Sequence, residues 1–173
     1  ATGLTAGTYT VTVTDNNTCQ STQSVTVSQP SAISIIPSHT DVSCNGGSNG
    51  TATATVSGGV GPYSYSWSPS GGTAATATGL AAGTHTVTVT DNNTCQSTQS
   101  ITVRQPSAIS ISASHTDVSC NGGANGTATV VASGGTAPYS YSWAPSGGTA
   151  ATATGLSAGT YTVTGTDNNT CQS

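Results

Sequence analysis

Five cysteines are the residues in this chain that most clearly have a chemistry of their own. They form two series, at positions 19, 95 and 171 and at positions 44 and 120, and both series have a spacing of 76 residues. Cysteines can form disulfides or bind zinc. Structural zinc sites usually contain closely spaced cysteine pairs, and this sequence has none. Two cysteines in each 76-residue stretch therefore indicate disulfides, which form in an oxidising compartment.

The spacing alone permits two pairings of these cysteines. One joins positions 44 with 95 and 120 with 171, and the other joins 19 with 44 and 95 with 120. We favour the first pairing because Pro30 and Pro106 look like domain boundaries, and positions 44 and 95 both lie between them. A closed loop of this size stabilises a small domain by about 4 kcal/mol. The cysteines expected in disulfides are Cys44, Cys95, Cys120 and Cys171.

Histidines and aspartates offer metal binding as a second kind of chemistry. His39 and His115 each precede Thr-Asp, but one histidine with one nearby carboxylate is a poor ligand set. Asp41 and Asp91 could bind calcium together with loop carbonyls between residues 45 and 50. The alternative is that these aspartates cap turns. We favour turn capping, and we expect no metal ion and no cofactor.

Catalysis and nucleic-acid binding find little support in the composition. Charged residues make up 3% of the chain, there is no lysine, and Arg104 is the single arginine. The chain therefore lacks the cations that phosphate contacts require. Serine is abundant, but no nucleophile, base and orienting acid form a recognisable set. We expect neither an enzyme nor a nucleic-acid-binding protein, and no stretch resembles a membrane span.

A repeated strand-like stretch positions the cysteines. Residues 83–95 read GTHTVTVTDNNTC, and similar copies occupy residues 7–19 and 159–171. Alternation of apolar or ring residues with threonine predicts a half-buried strand, and Asp-Asn-Asn predicts the tight turn that follows it. A fixed period of this kind indicates tandem copies of one structural unit.

The complete unit is predicted to contain six or seven short strands and no helix. Alternating residues predict strands at 33–35, 51–56, 63–67 and 75–78, and Ile101 and Val103 belong to the last strand. This count in 76 residues favours tandem immunoglobulin-like β-sandwiches, an all-β fold. The predicted divisions are 1–30, the end of a truncated repeat; 31–106, a complete repeat; and 107–173, a repeat without its last strand.

The predicted core contains the few large apolar and aromatic residues of each repeat. The aromatic residues of PYSYSW share one face of their strand, and one tryptophan per unit suits the space between two sheets. His85 stands where the other copies have tyrosine, at a position that is similar to the tyrosine corner of immunoglobulin-like sandwiches, so we interpret it as a structural substitute. The predicted core residues are Tyr63, Tyr65, Trp67, Leu80, Val87, Val89, Ile101, Val103, Tyr139, Tyr141, Trp143, Leu156 and Tyr161.

Several motifs taken together resemble a known family. They are DVSCNGG at 41–47, Gly-Gly at 58–59, PYSYSW at 62–67, GLAAG at 79–83 and TVTVTD at 86–91, and their counterparts recur along the chain. In combination they resemble the SprB repeat, named from a large surface adhesin of gliding bacteria that export proteins by the type IX secretion route. The resemblance implies a secreted protein at the cell surface, and it implies no catalytic residue.

Two functions are consistent with this sequence. The favoured one is a structural segment of a surface adhesin or extracellular filament, in which the repeats act as a stalk or spacer. The alternative is a binding module whose threonine-rich strand faces contact carbohydrate or another regular surface. The expected partners are neighbouring repeats, other copies in a fibre and surface polysaccharide, with gliding motility as the associated process.

Overall fold

The computed structural model describes residues 1–173, which form thirteen β-strands and no helix. None of its elements is a helix that could cross a membrane. The all-β prediction is confirmed, and the strands recur with the sequence repeat. The strands are β1 (Gly7–Thr14), β2 (Gln20–Val27), β3 (Ser34–Thr40), β4 (Gly50–Ser57), β5 (Ser64–Ser68), β6 (Thr76–Leu80), β7 (Gly83–Thr90), β8 (Gln96–Val103), β9 (Ser110–Thr116), β10 (Gly126–Ser133), β11 (Ser140–Ala144), β12 (Thr152–Leu156) and β13 (Thr162–Thr166).

Residues 31–106, called the complete unit below, contain two antiparallel three-stranded sheets. One sheet has the order β3-β4-β6 and the other has the order β5-β7-β8. This division, with the tryptophan strand β5 beside β7, is the arrangement of an immunoglobulin-like sandwich. Pro37 lies in β3, which is an edge strand, and an edge tolerates proline because its missing N–H is not needed by a second neighbour.

The core of the complete unit lies between these two sheets and follows the period of two. In β7, His85, Val87 and Val89 are buried, and the threonines between them are half-buried. Trp67 is 6% exposed, and its indole Nε1 donates a hydrogen bond to the Ala74 carbonyl at 2.9 Å. Burying the ring while satisfying its single donor is the arrangement that makes tryptophan useful in a small core. The residues of this core are Val42, Ala52, Ala54, Trp67, Ala77, Leu80, Val87, Val89, Ile101 and Val103.

Residues 107–173, called the last unit below, repeat this plan without a counterpart of β8. The sheets are β12-β10-β9 and β11-β13. Its buried core shrinks to Val130, Trp143, Ala153 and Leu156. Gly165 occupies the position of Val89, and a methyl group on it would lie 2.6 Å from Ile111 Cδ1. Ile111 therefore fills the space that a valine side chain takes in the complete unit.

The first hairpin, β1 with β2, shows what the strand pattern does without a second sheet. Its strands correspond to β7 and β8, and they pair in the same register. Val11 and Val13 are 58% and 63% exposed, whereas the equivalent valines of β7 are at most 1% exposed. The alternating sequence thus specifies the strand pair, and burial of its apolar face requires the opposing sheet.

Candidate functional site at the junction between two units

The structure contains one disulfide, and it joins the two units. Cys44 of the complete unit is bonded to Cys171 of the last unit, with 5.6 Å between their Cα atoms. Cys19, Cys95 and Cys120 are free and exposed. The predicted pairings of Cys44 with Cys95 and of Cys120 with Cys171 are therefore wrong. The alternative pairing, which involved Cys19, is not found in the structure either.

The reason is that the two cysteine positions of a unit lie at opposite ends of its sandwich. Cys44 follows β3 beside the end of β8, where the Val42 N–H donates to the Arg104 carbonyl at 2.8 Å. Cys95 lies in the turn before β8 begins. An eight-residue strand spans roughly 25 Å, whereas disulfide-bonded Cα atoms lie less than about 7 Å apart. A bond inside one unit is therefore excluded by distance.

The main chain passes from one unit to the next beside this disulfide. The Arg104 N–H donates to Asp41 Oδ1 at 2.7 Å, which fixes the exit from β8. The Gly46 N–H donates to Gln105 Oε1 at 2.8 Å, and Asn45 Nδ2 donates to the Pro106 carbonyl at 3.0 Å. Together with the bond from the Val42 N–H to the Arg104 carbonyl, four hydrogen bonds thus hold the loop that carries Cys44 against the linker.

The last unit contributes an asparagine to the same junction. Asn169 Nδ2 donates to the Ser43 carbonyl at 3.0 Å and contacts Thr136 Oγ1 at 3.2 Å. The disulfide, the linker and Asn169 therefore connect the Cys44 loop of one unit to the Asp-Asn-Asn turn of the next. Pairing of one end of a unit with the opposite end of its neighbour makes the arrangement head-to-tail.

The turn that carries Cys171 is organised by a buried aspartate. Asp167 is 4% exposed; its Oδ1 accepts hydrogen bonds from the Asn169 and Cys171 N–H groups at 2.8 and 2.9 Å, and its Oδ2 accepts one from Thr136 N–H at 2.9 Å. Burial raises the pKa of Asp167, but the N–H groups of Thr136, Cys171 and Asn169 outweigh it and hold the pKa below its ordinary value of 3.8. The carboxylate therefore places Cys171 for the disulfide.

Asp91 organises the same turn in the complete unit. It accepts hydrogen bonds from the N–H groups of Val60 at 3.0 Å and of Asn93 and Cys95 at 2.9 Å each. The hydrogen bond from Val60 is the main cause that lowers the pKa of Asp91, and the other two assist against the opposing effect of burial. Thr94 in this turn has φ of 63°, a strained value for a β-branched residue. The bonds to the carboxylate stabilise that conformation.

The residues considered for metal binding are dispersed. His39 Nε2 lies 3.4 Å from Asp41 Oδ1, and His115 Nε2 lies 3.6 Å from Asp117 Oδ1. Asp41 also accepts the hydrogen bond from Arg104, at the opposite end of the unit from Asp91. No three histidine, cysteine, aspartate or glutamate side chains come together as a metal-binding group.

His85 occupies the tyrosine position at the start of β7 and makes the same hydrogen bond. Its ring Nε2 lies 3.0 Å from the Ala81 carbonyl, four residues earlier. Tyr9 and Tyr161 donate to the carbonyls four residues before them at 2.9 and 3.2 Å. Because the Ala81 oxygen can only accept, His85 Nε2 carries the proton, and its buried Nδ1 has no partner. His85 is thus placed as a substitute for the tyrosine.

The predicted core residues divide into buried and half-buried sets. The tryptophans, leucines and the β7 valines are buried, whereas the five tyrosines are half-buried. The Tyr63 hydroxyl donates to the Gly58 carbonyl at 2.5 Å, and the Tyr139 hydroxyl donates to that of Gly134, so these two hydroxyls have the partner that a polar group needs when it leaves water. The half-buried residues are Tyr63, Tyr65, Tyr139, Tyr141 and Tyr161; the buried ones are Trp67, Leu80, Val87, Val89, Trp143 and Leu156.

The outward threonine faces form hydrogen-bonded pairs across the strands. Thr40 and Thr51 hydroxyls lie 2.7 Å apart, and Thr53 and Thr76 hydroxyls lie 3.0 Å apart. The equivalent pairs are present in the last unit, and a similar pair joins Thr8 and Thr26 in the first hairpin. Cross-strand hydroxyl pairs stabilise a sheet, so these side chains have a structural role that needs no ligand.

Sequence reasoning did not identify Ser43, Gln105 and Asn169 as junction residues. The Asn169 side chain and the Ser43 carbonyl act between units, and the Gln105 side chain holds the linker against the Cys44 loop. A repeated sequence does not show which end of a unit faces its neighbour. The linker could have shown this, because it leaves one unit at the end that carries the Cys44 loop and enters the next unit at the end that carries the Asp-Asn-Asn turn.

Comparison with known families gives one match. The family model described as the SprB repeat matches residues 37–72 and 112–148. Each segment begins inside the first strand of its unit and continues through the loop with Cys44 or Cys120 to the strand that contains the tryptophan. No curated protein shows significant similarity to the chain.

Proposed function

We propose that this chain, two segments of which match the SprB repeat, is a stalk or spacer segment of a secreted adhesin or filament at the cell surface. SprB repeats are structural repeat domains, and the chain offers no arrangement of catalytic groups. The disulfide supports an extracellular location, because disulfides persist in oxidising compartments. Gliding motility is the process in which such an adhesin would act.

The observation that carries this proposal is the doubly connected junction. One linker and one disulfide join the same two units, and Asn169 adds a hydrogen bond between them. Two covalent connections restrict the hinge motion that a single flexible linker would allow. A stalk needs this restriction, because it must transmit force and hold a distal part of the protein away from the cell.

Burial in the chain is distributed over two separate cores instead of one. This division into separately packed units favours a spacer over a compact binding domain.

Repetition of this junction would connect every unit to both of its neighbours. Cys120 is the equivalent of Cys44, and Cys95 is the equivalent of Cys171. Both are free and exposed in this structure. In a longer array, the cysteine equivalent to Cys120 in each unit would form a disulfide with the following unit. The cysteine equivalent to Cys95 would form a disulfide with the preceding unit.

Small-angle scattering and an adhesion assay test this proposal on the 173-residue chain. A compact globule of this length has a radius of gyration of about 16 Å, and we expect a clearly larger value. Beads coated with the chain should adhere to glass or polysaccharide no better than uncoated beads. A compact scattering profile would contradict the stalk, and strong adhesion would favour the alternative function of the threonine-rich faces.

A further inference from the structure

The turns that carry Cys95 and Cys171 have the same sequence, DNNTC, but the residue bonded across each turn differs. It is Val60 in the complete unit and Thr136 in the last unit. The N–H of each donates to the buried aspartate of its turn, at 3.0 and 2.9 Å, and the carbonyl of each accepts from the first asparagine of the turn at 2.9 Å. The main-chain frame is therefore common to the two units, and the last unit adds a hydroxyl group to it.

The Thr136 hydroxyl orients the side-chain amide of Asn169. Asn169 Nδ2 donates to Thr136 Oγ1 at 3.2 Å and to the Ser43 carbonyl at 3.0 Å. An asparagine nitrogen has two hydrogens, so both are used. Because the Ser43 oxygen can only accept, the amide nitrogen and not the amide oxygen faces the preceding unit. Val60 has no group that could hold an asparagine amide in this way.

The acceptor for this amide is preformed by its own loop. Asn49 Oδ1 accepts the Ser43 N–H at 3.0 Å, and Asn49 Nδ2 donates to Ser43 Oγ at 2.7 Å. Ser119 and Asn125 make the same two bonds in the last unit, at 3.0 and 2.8 Å. The serine side of the junction is thus constant between the units, whereas the residue that orients the asparagine changes from valine to threonine.

Docking of the Asn169 amide also aligns the two cysteines. The Ser43 oxygen lies 3.4 Å from Cys171 Sγ, and Ser43 directly precedes Cys44 in the chain. When Asn169 is bonded to Ser43, the two sulfurs are therefore already neighbours. Alignment of this kind raises the effective concentration of one thiol at the other.

We propose that Thr136 is the positioning residue of the junction. Its hydroxyl directs the Asn169 amide onto the Ser43 carbonyl, and this docking precedes the disulfide and persists without it. A unit with valine at this position, as at Val60, lacks the noncovalent contact and depends on its linker and its disulfide. The residue after Gly-Gly in each repeat would thus specify either an ordered junction or one that becomes a hinge on reduction. This inference stands whether or not the chain acts as a stalk.

The test is redox equilibration of the 173-residue chain with Cys19, Cys95 and Cys120 replaced by serine. In glutathione buffers, the two remaining thiols are oxidised to one disulfide while one glutathione disulfide is reduced to two glutathione thiols. The midpoint gives the effective concentration of the two protein thiols. Thr136→Val should lower this concentration by about two- to tenfold, the range that one hydrogen bond contributes. Thr136→Ser, which keeps the hydroxyl, should retain the parent value.

Val60→Thr is the matched control, because it makes the reverse change in the turn at the other end of the complete unit from Cys44. It should leave the midpoint unchanged. Equal midpoints for the parent and Thr136→Val would overturn the proposal. A Thr136→Ser midpoint as low as that of the valine variant, or an equal change in Val60→Thr, would also overturn it, because the hydroxyl of Thr136 would then not be the cause.

A second measurement needs no change at position 136. In the reduced chain, NMR should still show nuclear Overhauser contacts from the Asn169 side-chain amide to Ser43 and Thr136. Absence of these contacts would overturn the proposal, because docking would then require the disulfide. Valine occupies this position in the complete unit with the same main-chain bonds, so Thr136→Val should fold, and thermal unfolding checks this.

Discussion

Removal of the disulfide should change how the chain extends under force. The bond between Cys44 and Cys171 closes a loop with a sequence separation of 127 residues. When a chain held at its two ends is pulled, the force passes through this bond, and the residues inside the loop remain protected. Replacing Cys44 by serine opens the loop and exposes both units to the force.

The expected change in contour length follows from the loop. A fully extended chain spans about 3.3–3.6 Å per residue, so 127 residues contribute roughly 420–460 Å. Single-molecule force spectroscopy should therefore show this additional extension in the Cys44→Ser variant and in the parent chain after reduction. The parent chain under oxidising conditions should lack it.

The free cysteines require a matched background for this experiment. Cys19, Cys95 and Cys120 are exposed, so all three should be replaced by serine in both the parent and the variant. If the oxidised parent already extends by the full length, Cys44 and Cys171 are not bonded, and the head-to-tail junction is refuted. Peptide mass mapping of the oxidised parent provides an independent check of the pairing.

Three further predictions concern the complete unit. Trp67→Ala should lower its free energy of unfolding by about 3–5 kcal/mol, measured by urea denaturation, and a loss below about 1 kcal/mol would contradict its central place in the core. His85→Tyr alone should destabilise by overpacking against Ile101, whereas adding Ile101→Val should recover most of that loss; a double-mutant cycle with no coupling would argue against paired fitting of the two side chains. Folding lowers the pKa of Asp91 below its ordinary value of 3.8. The ionised carboxylate therefore stabilises the folded unit at pH values above 3.8, and this stabilisation is lost as the pH falls through the lower pKa of the folded state. Asp91→Asn should flatten the acid part of the stability–pH curve measured by thermal unfolding, and an unaltered curve in this variant would exclude the carboxylate as the cause.

The sandwich could be predicted because each of its strands carries its own local signal. Alternation at Val87 and Val89 specifies the inward face of β7, and the position of Trp67 on its strand specifies the face that packs against the other sheet. These signals depend on neighbours two residues apart, so a single sequence contains them. The half-burial of Tyr63 and Tyr139 was harder to predict, because their hydroxyl groups reach the Gly58 and Gly134 carbonyls, which lie just after β4 and β10.

The cysteine pairing could not be derived in this way because it depends on strand direction. Four strands separate Cys44 from Cys95, and in a simple up-and-down order four strands return the chain to the end where it began. Residues 69–75 instead return as a loop without forming a strand, and the Trp67 N–H donates to the Gly72 carbonyl at its start. As a result β5 and β6 run in the same direction, in different sheets, and Cys95 is left at the far end of the unit.

This single crossover changes the physical role of the disulfide. A bond inside one unit would constrain that unit's unfolded chain and stabilise its thin core directly. A bond across the junction leaves each unit dependent on its own packing, and it restricts instead the movement of one unit relative to the next. The stability of the complete unit comes from its core, in which β8 covers Trp67, Leu80 and the valines of β7. The Cys44–Cys171 bond provides the covalent connection between neighbouring units. Resistance to extension in such a chain is therefore located in its junctions, while the repeated sandwiches determine the spacing between them.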